Sequence, residues 1–209
     1  NCVLPLNEYL PAAYLQDPLI NSVGNSHLFS NFTNSQCALA LYAATPAASY
    51  RKDLFEENHA ALPQTWEDVI ALAKKGKVAV PAIPIDLLMN FYSFCIANGQ
   101  SEDEVIDIAT GIKAIAMMKE LYSEVDKKMF NLNPIAVAEL MSSTNDYWYC
   151  PFAYCYSNYS RKGFAKHVLQ YSDVGTVNGK KLSTTIGGTG LSVSAFSKHT
   201  AIAIDFAKL

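Results

Sequence analysis

The chemistry-bearing residues of this 209-residue chain are concentrated in two stretches. The first is Tyr147-Trp148-Tyr149-Cys150-Pro151-Phe152-Ala153-Tyr154-Cys155-Tyr156-Ser157-Asn158-Tyr159-Ser160-Arg161. Seven of its first thirteen residues are aromatic, against 11% over the whole chain. Five are tyrosines with hydroxyls to satisfy, and Asn158 and Arg161 add amide and guanidinium donors. Flat apolar faces beside hydrogen-bonding groups suit a sugar, whose ring shows C–H patches on one side and hydroxyls at its rim. The same composition fits an aromatic-rich core strand with wet tyrosine tips, and Arg161 equally fits a surface ion pair. The second stretch, Thr184 to Ser194, sets three glycines in four positions at Gly187, Gly188 and Gly190, with Thr189 among them. A backbone without side chains can approach a ligand closely or take up dihedral angles closed to other residues. A glycine bulge at the start of a strand is the competing reading, and alternation at Leu191, Val193 and Ala195 predicts that strand.

Other reactive arrangements are hard to find. The glycine pattern is neither GxGxxG nor a phosphate-binding GxxxxGK[ST] loop, and no HExxH or GxSxG occurs. His27, His59, His167 and His199 are scattered, and most acidic residues sit at predicted helix starts, where the helix dipole accounts for them. Asp86 and Asp146 are exceptions, each beside apolar or aromatic neighbours, suited to ligand hydroxyls or to a turn or cap. As a pair they would define the enzymatic alternative, a carbohydrate-processing site with carboxylates about 5 to 9.5 Å apart. Cys2, Cys37, Cys95, Cys150 and Cys155 match no zinc spacing. They read mostly as small buried hydrophobes, with a Cys150–Cys155 disulfide as the alternative. The sequons at Asn31 and Asn158 are short enough to arise by chance.

A net charge of −3, with lysines only in small groups, argues against a nucleic-acid partner. No run of 18 or more apolar residues is present, and Asn1-Cys2-Val3-Leu4-Pro5 does not read as a signal peptide. Without a starting Met, and ending inside a helical pattern, the sequence is expected to be a piece of a longer protein.

Three helices must position these stretches. Thr65 caps the first, with Asp68 at its third position and Gly76 as its stop. Ser101 and Glu104 form the capping box of the second, with a buried face of Val105, Ile108, Ile112, Ile115 and Tyr122. Asn133-Pro134 opens the third. Strands are predicted at 38–42, 47–50 and 78–83, with 51–55 as a connecting segment. Pro5, Pro11 and Pro18 limit residues 1–36 to short helices and loops. Helices alternating with short apolar strands make an α/β fold.

The order of these pieces resembles the middle portion of the extracellular solute-binding protein family that includes maltose-binding protein. Leu39 to Tyr42 followed by Ala48-Ser49-Tyr50-Arg51-Lys52-Asp53-Leu54-Phe55 is similar to the family's strand and first crossing between lobes. Leu62-Pro63-Gln64-Thr65-Trp66-Glu67-Asp68-Val69 resembles its P-x-T-W-x-E/D helix opening. Ala136 to Met141 with Asp146-Tyr147-Trp148 resembles the helix and aromatic segment before the binding cleft. Gly187 to Ser194, Ser197-Lys198-His199 and Ala201 to Phe206 resemble the glycine-rich strand, second crossing and return helix.

The resemblance implies a type II periplasmic-binding-protein-like α/β fold of two lobes joined by hinge crossings, here a fragment lacking parts of lobe one. Residues 1–50 would be lobe one and the first crossing, 51–193 lobe two, and 194–209 the return crossing and the start of a lobe-one helix. It implies the substrate-binding component of an ABC importer, which captures a small polar solute, a carbohydrate by its aromatics, in an interlobe cleft and docks on a membrane permease. Its location would be periplasmic or extracellular, with lipid anchoring through a preceding segment as one form. A sensor or adhesion protein on the same fold is the other non-enzymatic option. No cofactor or metal is implied. By position, Trp148 and Tyr149 would stack on the ligand, Gly187 to Gly190 would line the floor, and Thr45 would contribute from the crossing. Tyr156, Asn158, Tyr159 and Arg161 join them on chemistry and proximity, and Asp86 is added on its apolar surroundings.

Overall fold

The computed structural model describes residues 2–11, 14, 30–101 and 104–208. Its strands are β1 (Asn31–Phe32), β2 (Ser35–Gln36), β3 (Leu39–Ala44), β4 (Ala47–Tyr50), β5 (Tyr149–Ala153), β6 (Gln170–Ser172) and β7 (Gly187–Leu191). Its α-helices are α1 (Lys52–Glu57), α2 (Trp66–Lys74), α3 (Pro84–Ala97), α4 (Ile108–Glu124), α5 (Pro134–Ser143) and α6 (Thr200–Ala207). The chain divides into two units, residues 45–185 and residues 1–44 with 186–209.

The larger unit is built on an antiparallel sheet in the order β5-β4-β6. β5 reads as Tyr-Cys-Pro-Phe-Ala and its first four residues are buried, so it is a core strand. Pro151 is tolerated because β5 lies at the edge of this sheet, where a missing N–H breaks no ladder. Phe152 meets Phe94 of α3 at 5.6 Å between ring centroids, and Phe94 meets Trp66 of α2 at 4.9 Å, both edge to face. The buried run Val78-Ala79-Val80 makes one parallel bridge, Val78 to Tyr149, instead of a full strand.

The predicted caps of α2 and α5 form. Thr65 Oγ1 accepts from the Asp68 amide while Asp68 accepts from the Thr65 amide, and Gly76, at φ +70°, ends the segment. Asn133 Oδ1 accepts from the Ala136 amide at 2.9 Å. Elsewhere packing overrides local signals. The connecting segment 51–55 is largely helix α1. α4 begins at Ile108 behind an Asp107 cap, so the expected start at Ser101 with Glu104 is not where the helix opens; residues 102–103 between them lie outside the described residues. Most of the expected buried face is turned out: Val105 before the helix and Ile108, Ile112 and Ile115 in it are 95%, 82%, 62% and 57% exposed, and of that set Tyr122 alone packs on the core. Thr110, Gly111, Ala114 and Leu121 face inward instead. A Cβ on Gly111 would lie 3.8 Å from Phe91 of α3, so small residues set the approach of these helices and turn the isoleucines outward. Helix α3 was not anticipated, because its apolar run 84–97 gives little period against an apolar background.

Unit boundaries follow strand pairing. β4 pairs with β5 and β6, and β7 pairs with β3. The divisions therefore fall at 44/45 and 185/186, not at 50/51 and 193/194. In the smaller unit Leu6, Leu10, Leu39, Val193 and Ile204 form the core. The expected alternating strand at 191–195 is displaced onto the glycines themselves. Pro5 precedes a short 3-10 turn at Leu6–Glu8, while Pro18 lies outside the described residues. Of the cysteines, which are free thiols, Cys95 and Cys150 are buried but Cys2 and Cys155 are exposed, so burial does not account for most of them.

Arg51 is completely buried. Its guanidinium grips both carboxylate oxygens of Asp53 at 2.8 and 2.6 Å, the carbonyls of Met141 and Thr144 at 2.9 and 2.6 Å, and Asn145 Oδ1 at 3.0 Å. Replacing Arg51 by Leu strands these acceptors; we expect a loss of about 3–5 kcal/mol in urea denaturation. Arg51→Lys should recover little of it, since an ammonium cannot reproduce the fork. In the smaller unit a Cβ on Gly190 would stand 2.8 Å from Ala38 Cβ. Gly190→Ala should therefore lower stability by about 1–3 kcal/mol, read in the same assay, because two strands must separate.

Candidate functional site

In the smaller unit, the glycine run is itself a strand. β7 pairs antiparallel with β3, in the register Leu39 with Leu191 to Ala44 with Gly187, with an irregularity between Ala40 and Tyr42. Gly187, Gly188, Thr189 and Gly190 are all exposed, so the backbone lies open. Gly188 adopts φ +152°, a conformation that side chains disfavour. A cavity of about 210 Å³ lies over this strand, lined by Ser30, Ala40, Tyr42 and Ile186 with the four residues of the glycine run. Thr189 Oγ1 donates to the Tyr42 hydroxyl at 2.9 Å. The walls thus combine one aromatic ring and one aliphatic side chain with hydroxyls and open backbone. Tyr42 and Ser30 were not singled out by the sequence.

In the larger unit, the aromatic stretch separates into core and surface. Tyr149 is completely buried and packs in the core, so its ring offers no stacking face, contrary to expectation. Its hydroxyl is buried without a partner, and burial pushes its pKa up. Trp148 is half-buried, edge to face with Phe55 at 5.7 Å, with Lys77 Nζ 5.2 Å from its ring centre. Tyr159 is also buried. Its hydroxyl donates to Glu139 Oε1 at 2.6 Å and its ring packs on Phe164, so it supports the segment instead of presenting itself. Burial and then the Glu139 bond push its hydroxyl up to about 12.

Tyr156, Asn158 and Arg161 remain on the surface around a short 3-10 turn, Ser157–Ser160. Cys155, at φ +46°, turns the chain out of β5 and brings Tyr156 to the surface. The Tyr171 hydroxyl of β6 donates to the Tyr156 carbonyl at 2.8 Å and holds that turn. Arg161 reaches Asn158 Oδ1 at 3.4 Å. Thr45, where the chain enters this unit, hydrogen-bonds Thr184 side chain to side chain at 2.7 Å and donates to the Thr185 carbonyl at 3.3 Å, where the chain leaves. Asp146 is exposed in the loop before β5, an environment opposite to that of Asp86.

Asp86 lies at the start of α3, only 5% exposed. Desolvation raises its carboxyl to about 6. Asn90 and Ser93 follow at i+4 and i+7, also buried, so α3 carries a polar stripe on its inward side. The outward side carries Ile85, Leu88 and Tyr92. Asn90 Nδ2 donates to the Tyr122 hydroxyl at 2.8 Å. Asp86 Oδ2 and Asn90 Oδ1 have no hydrogen-bond partner. The Asp86 charge also bears on Tyr154 and Cys150, whose groups burial pushes up to about 12. Asn90 was missed, although three polar residues at helical spacing in an apolar run were legible. No group of metal-binding side chains occurs among the described residues.

Comparison with known proteins agrees with this architecture. A comparison with curated proteins found no match. Among solved structures, the chain is similar to maltose-bound MalE3 of T. maritima, at 16% identity and a TM-score of 0.75, over 98% of this chain and 58% of that one. It is similar to an ABC transporter solute-binding protein from Agrobacterium radiobacter K84 in complex with ribitol, at 18% identity and a TM-score of 0.77, over 99% and 57%. A third, from Agrobacterium vitis S4 with bound D-mannitol, is 14% identical with a TM-score of 0.74, over 99% and 54%. The chain thus spans under three fifths of the length of each of these structures, and at such identities they show the fold alone. The model of one family, the bacterial extracellular solute-binding proteins, matches residues 3–209, and with a match over nearly its whole length this chain belongs to that family.

Proposed function

We propose that this chain is part of the substrate-binding component of an ABC importer that captures a small neutral carbohydrate or polyol outside the cytoplasm and delivers it to a membrane permease. It binds its solute without transforming it. The observation that carries this reading is the cavity over β7, where open glycine backbone lies between Tyr42 and Ile186 with the Thr189 hydroxyl at hand. A sugar or polyol needs this mixture: apolar surface for its C–H faces and a few placed hydrogen bonds for its hydroxyls. Family membership and the maltose, ribitol and D-mannitol named for similar structures support the same class of solute.

In this reading Gly187 to Gly190 contact the ligand through the backbone, and Tyr42 supplies the flat face that the sequence had assigned to Trp148 and Tyr149. In the larger unit Asp86, Thr45, Tyr156, Asn158 and Arg161 are the proposed polar contacts. Trp148, Tyr149 and Tyr159 act as core and support.

Thermal denaturation of the full protein against sugars, polyols, sugar acids and amino acids tests this. A true ligand at a hundred times its dissociation constant adds about 2.7 kcal/mol of stability. Tyr42→Ala should weaken that ligand by about 2 kcal/mol while leaving the unliganded midpoint nearly unchanged, since Tyr42 is 54% exposed. Conversion of the ligand to a product, or a panel in which only amino acids bind, would sink the reading.

A further inference from the structure

The chain contains two Asn-Gly dipeptides, Asn98-Gly99 and Asn178-Gly179. Such a pair is reactive in any peptide: the glycine nitrogen, with no Cβ beside it, attacks the asparagine side-chain carbonyl carbon and displaces its amide as ammonia. Folding slows the step where the side-chain amide or the glycine N–H is already hydrogen-bonded, and where the backbone cannot open. The two sites differ on each count.

At the first site both reacting groups are engaged. Asn98 is the C-cap of α3, and its Nδ2 donates to the Phe94 carbonyl at 2.8 Å and to Met117 Sδ of α4 at 3.3 Å. The Gly99 amide donates to the Ile96 carbonyl at 3.0 Å. Asn98 is half-buried, so attack would have to undo the end of α3 and its contact with α4. At the second site neither group is engaged. Asn178 and Gly179, at φ +51° and +72°, are the central pair of a two-residue turn, both in the left-handed region as a type I′ turn requires. Val177 and Lys180 close the turn with reciprocal backbone bonds of 2.8 and 3.0 Å. Both turn residues are exposed, and among the described residues no hydrogen bond engages the Asn178 side chain or the Gly179 amide. Opening this tip breaks two bonds and disturbs no helix.

We infer that Asn178 is a site of spontaneous modification, at which the folded chain converts to aspartate and isoaspartate while Asn98 is protected. The Gly179 nitrogen bonds to Asn178 Cγ and gives up its proton; the Cγ–Nδ2 bond breaks, and Nδ2 leaves with that proton as ammonia. Water then opens the cyclic imide. Cleavage between Cγ and the nitrogen gives aspartate, and cleavage between the backbone carbonyl carbon and the nitrogen gives isoaspartate. No oxidant or reductant takes part. This chemistry is independent of solute binding.

Either product places a new negative charge beside Lys180 and Lys181, the second of which already pairs with Asp173 at 2.7 Å. Isoaspartate also lengthens the main chain by one atom, so Val177 and Lys180 no longer match across a two-residue turn. The turn is continuous with a packed segment: the Thr176 carbonyl accepts from the Trp66 amide, the Thr176 amide donates to the Gln64 carbonyl, and Val177 is buried. Modification at the exposed tip therefore loosens a contact with the start of α2.

The test incubates the chain for days at about 37 °C and pH about 8, folded and in about 8 M urea. Peptide mass spectrometry follows the gain of about one mass unit at each Asn-Gly, and electron-transfer fragmentation separates isoaspartate from aspartate. Dividing the urea rate by the folded rate at the same dipeptide removes the influence of neighbouring sequence. This protection should be at least about fivefold larger at Asn98 than at Asn178, and a smaller ratio overturns the proposal. The isoaspartate-containing fraction, isolated by ion exchange, should melt about 2–4 °C below Asn178→Asp, which carries the charge without the added backbone atom. Equal melting of the two would overturn the loosening of the turn.

Discussion

The larger unit depends on one buried cation. Arg51 follows β4 immediately, and its five N–H donors are all used, on Asp53, Met141, Thr144 and Asn145. These bonds join the first turn of α1 to the end of α5 and to the loop that leads into β5. The Arg51 amide donates to the Trp148 carbonyl at 2.9 Å, one residue before β5 begins. The sheet, a helix end and the aromatic strand are therefore fixed at one point. His167 lies beside this cluster, its Nδ1 3.7 Å from Asp53 Oδ2, and burial together with the Arg51 charge disfavours its protonation. The guanidinium beside Asp53 holds that carboxyl below the usual range. A buried charge of this kind adds less net stability than its bond count implies, but it is costly to break and so specifies one arrangement.

What Arg51 anchors at one end of β5 is used at the other. The strand runs through the core, and only beyond Ala153 does the chain reach the surface, through the left-handed Cys155 and the bond from Tyr171 to the Tyr156 carbonyl. The aromatic stretch thus has two jobs. Tyr149 and Phe152 build the interior, and Tyr156, Asn158 and Arg161 present polar groups from a turn that the interior holds still.

The smaller unit is organised differently. Its strand pair brings backbone against backbone, and the near contact of Gly190 with Ala38 shows why a side chain is not accommodated. Leaving the strand bare also exposes its main-chain groups to the cavity bounded by Tyr42 and Ile186. Close packing and open backbone there rest on the same property, the missing Cβ. The polar stripe of α3 makes the opposite compromise: side chains are present and buried, but their acceptors are left unmet in the folded chain.

Much of the fold was legible in the sequence wherever a local rule decides it. The Thr65 cap with Asp68 and the Asn133-Pro134 start depend on neighbours three residues away, and each forms as expected. The family's order of motifs was equally readable, because it lies along the chain. Wherever a residue's partner is distant in sequence, tertiary structure alone decided. Ile108, Ile112 and Ile115 have the spacing of a core face, yet Gly111 and Ala114 permit the closer approach to α3 and take the inward side. Tyr149 and Tyr156 are the same residue type seven positions apart; strand pairing buries one, and a positive φ at Cys155 turns the other out. The sequence by itself determined which chemistries are present, since composition is local. The structure decided which of those groups face outward, because burial depends on contacts that no short stretch of chain contains.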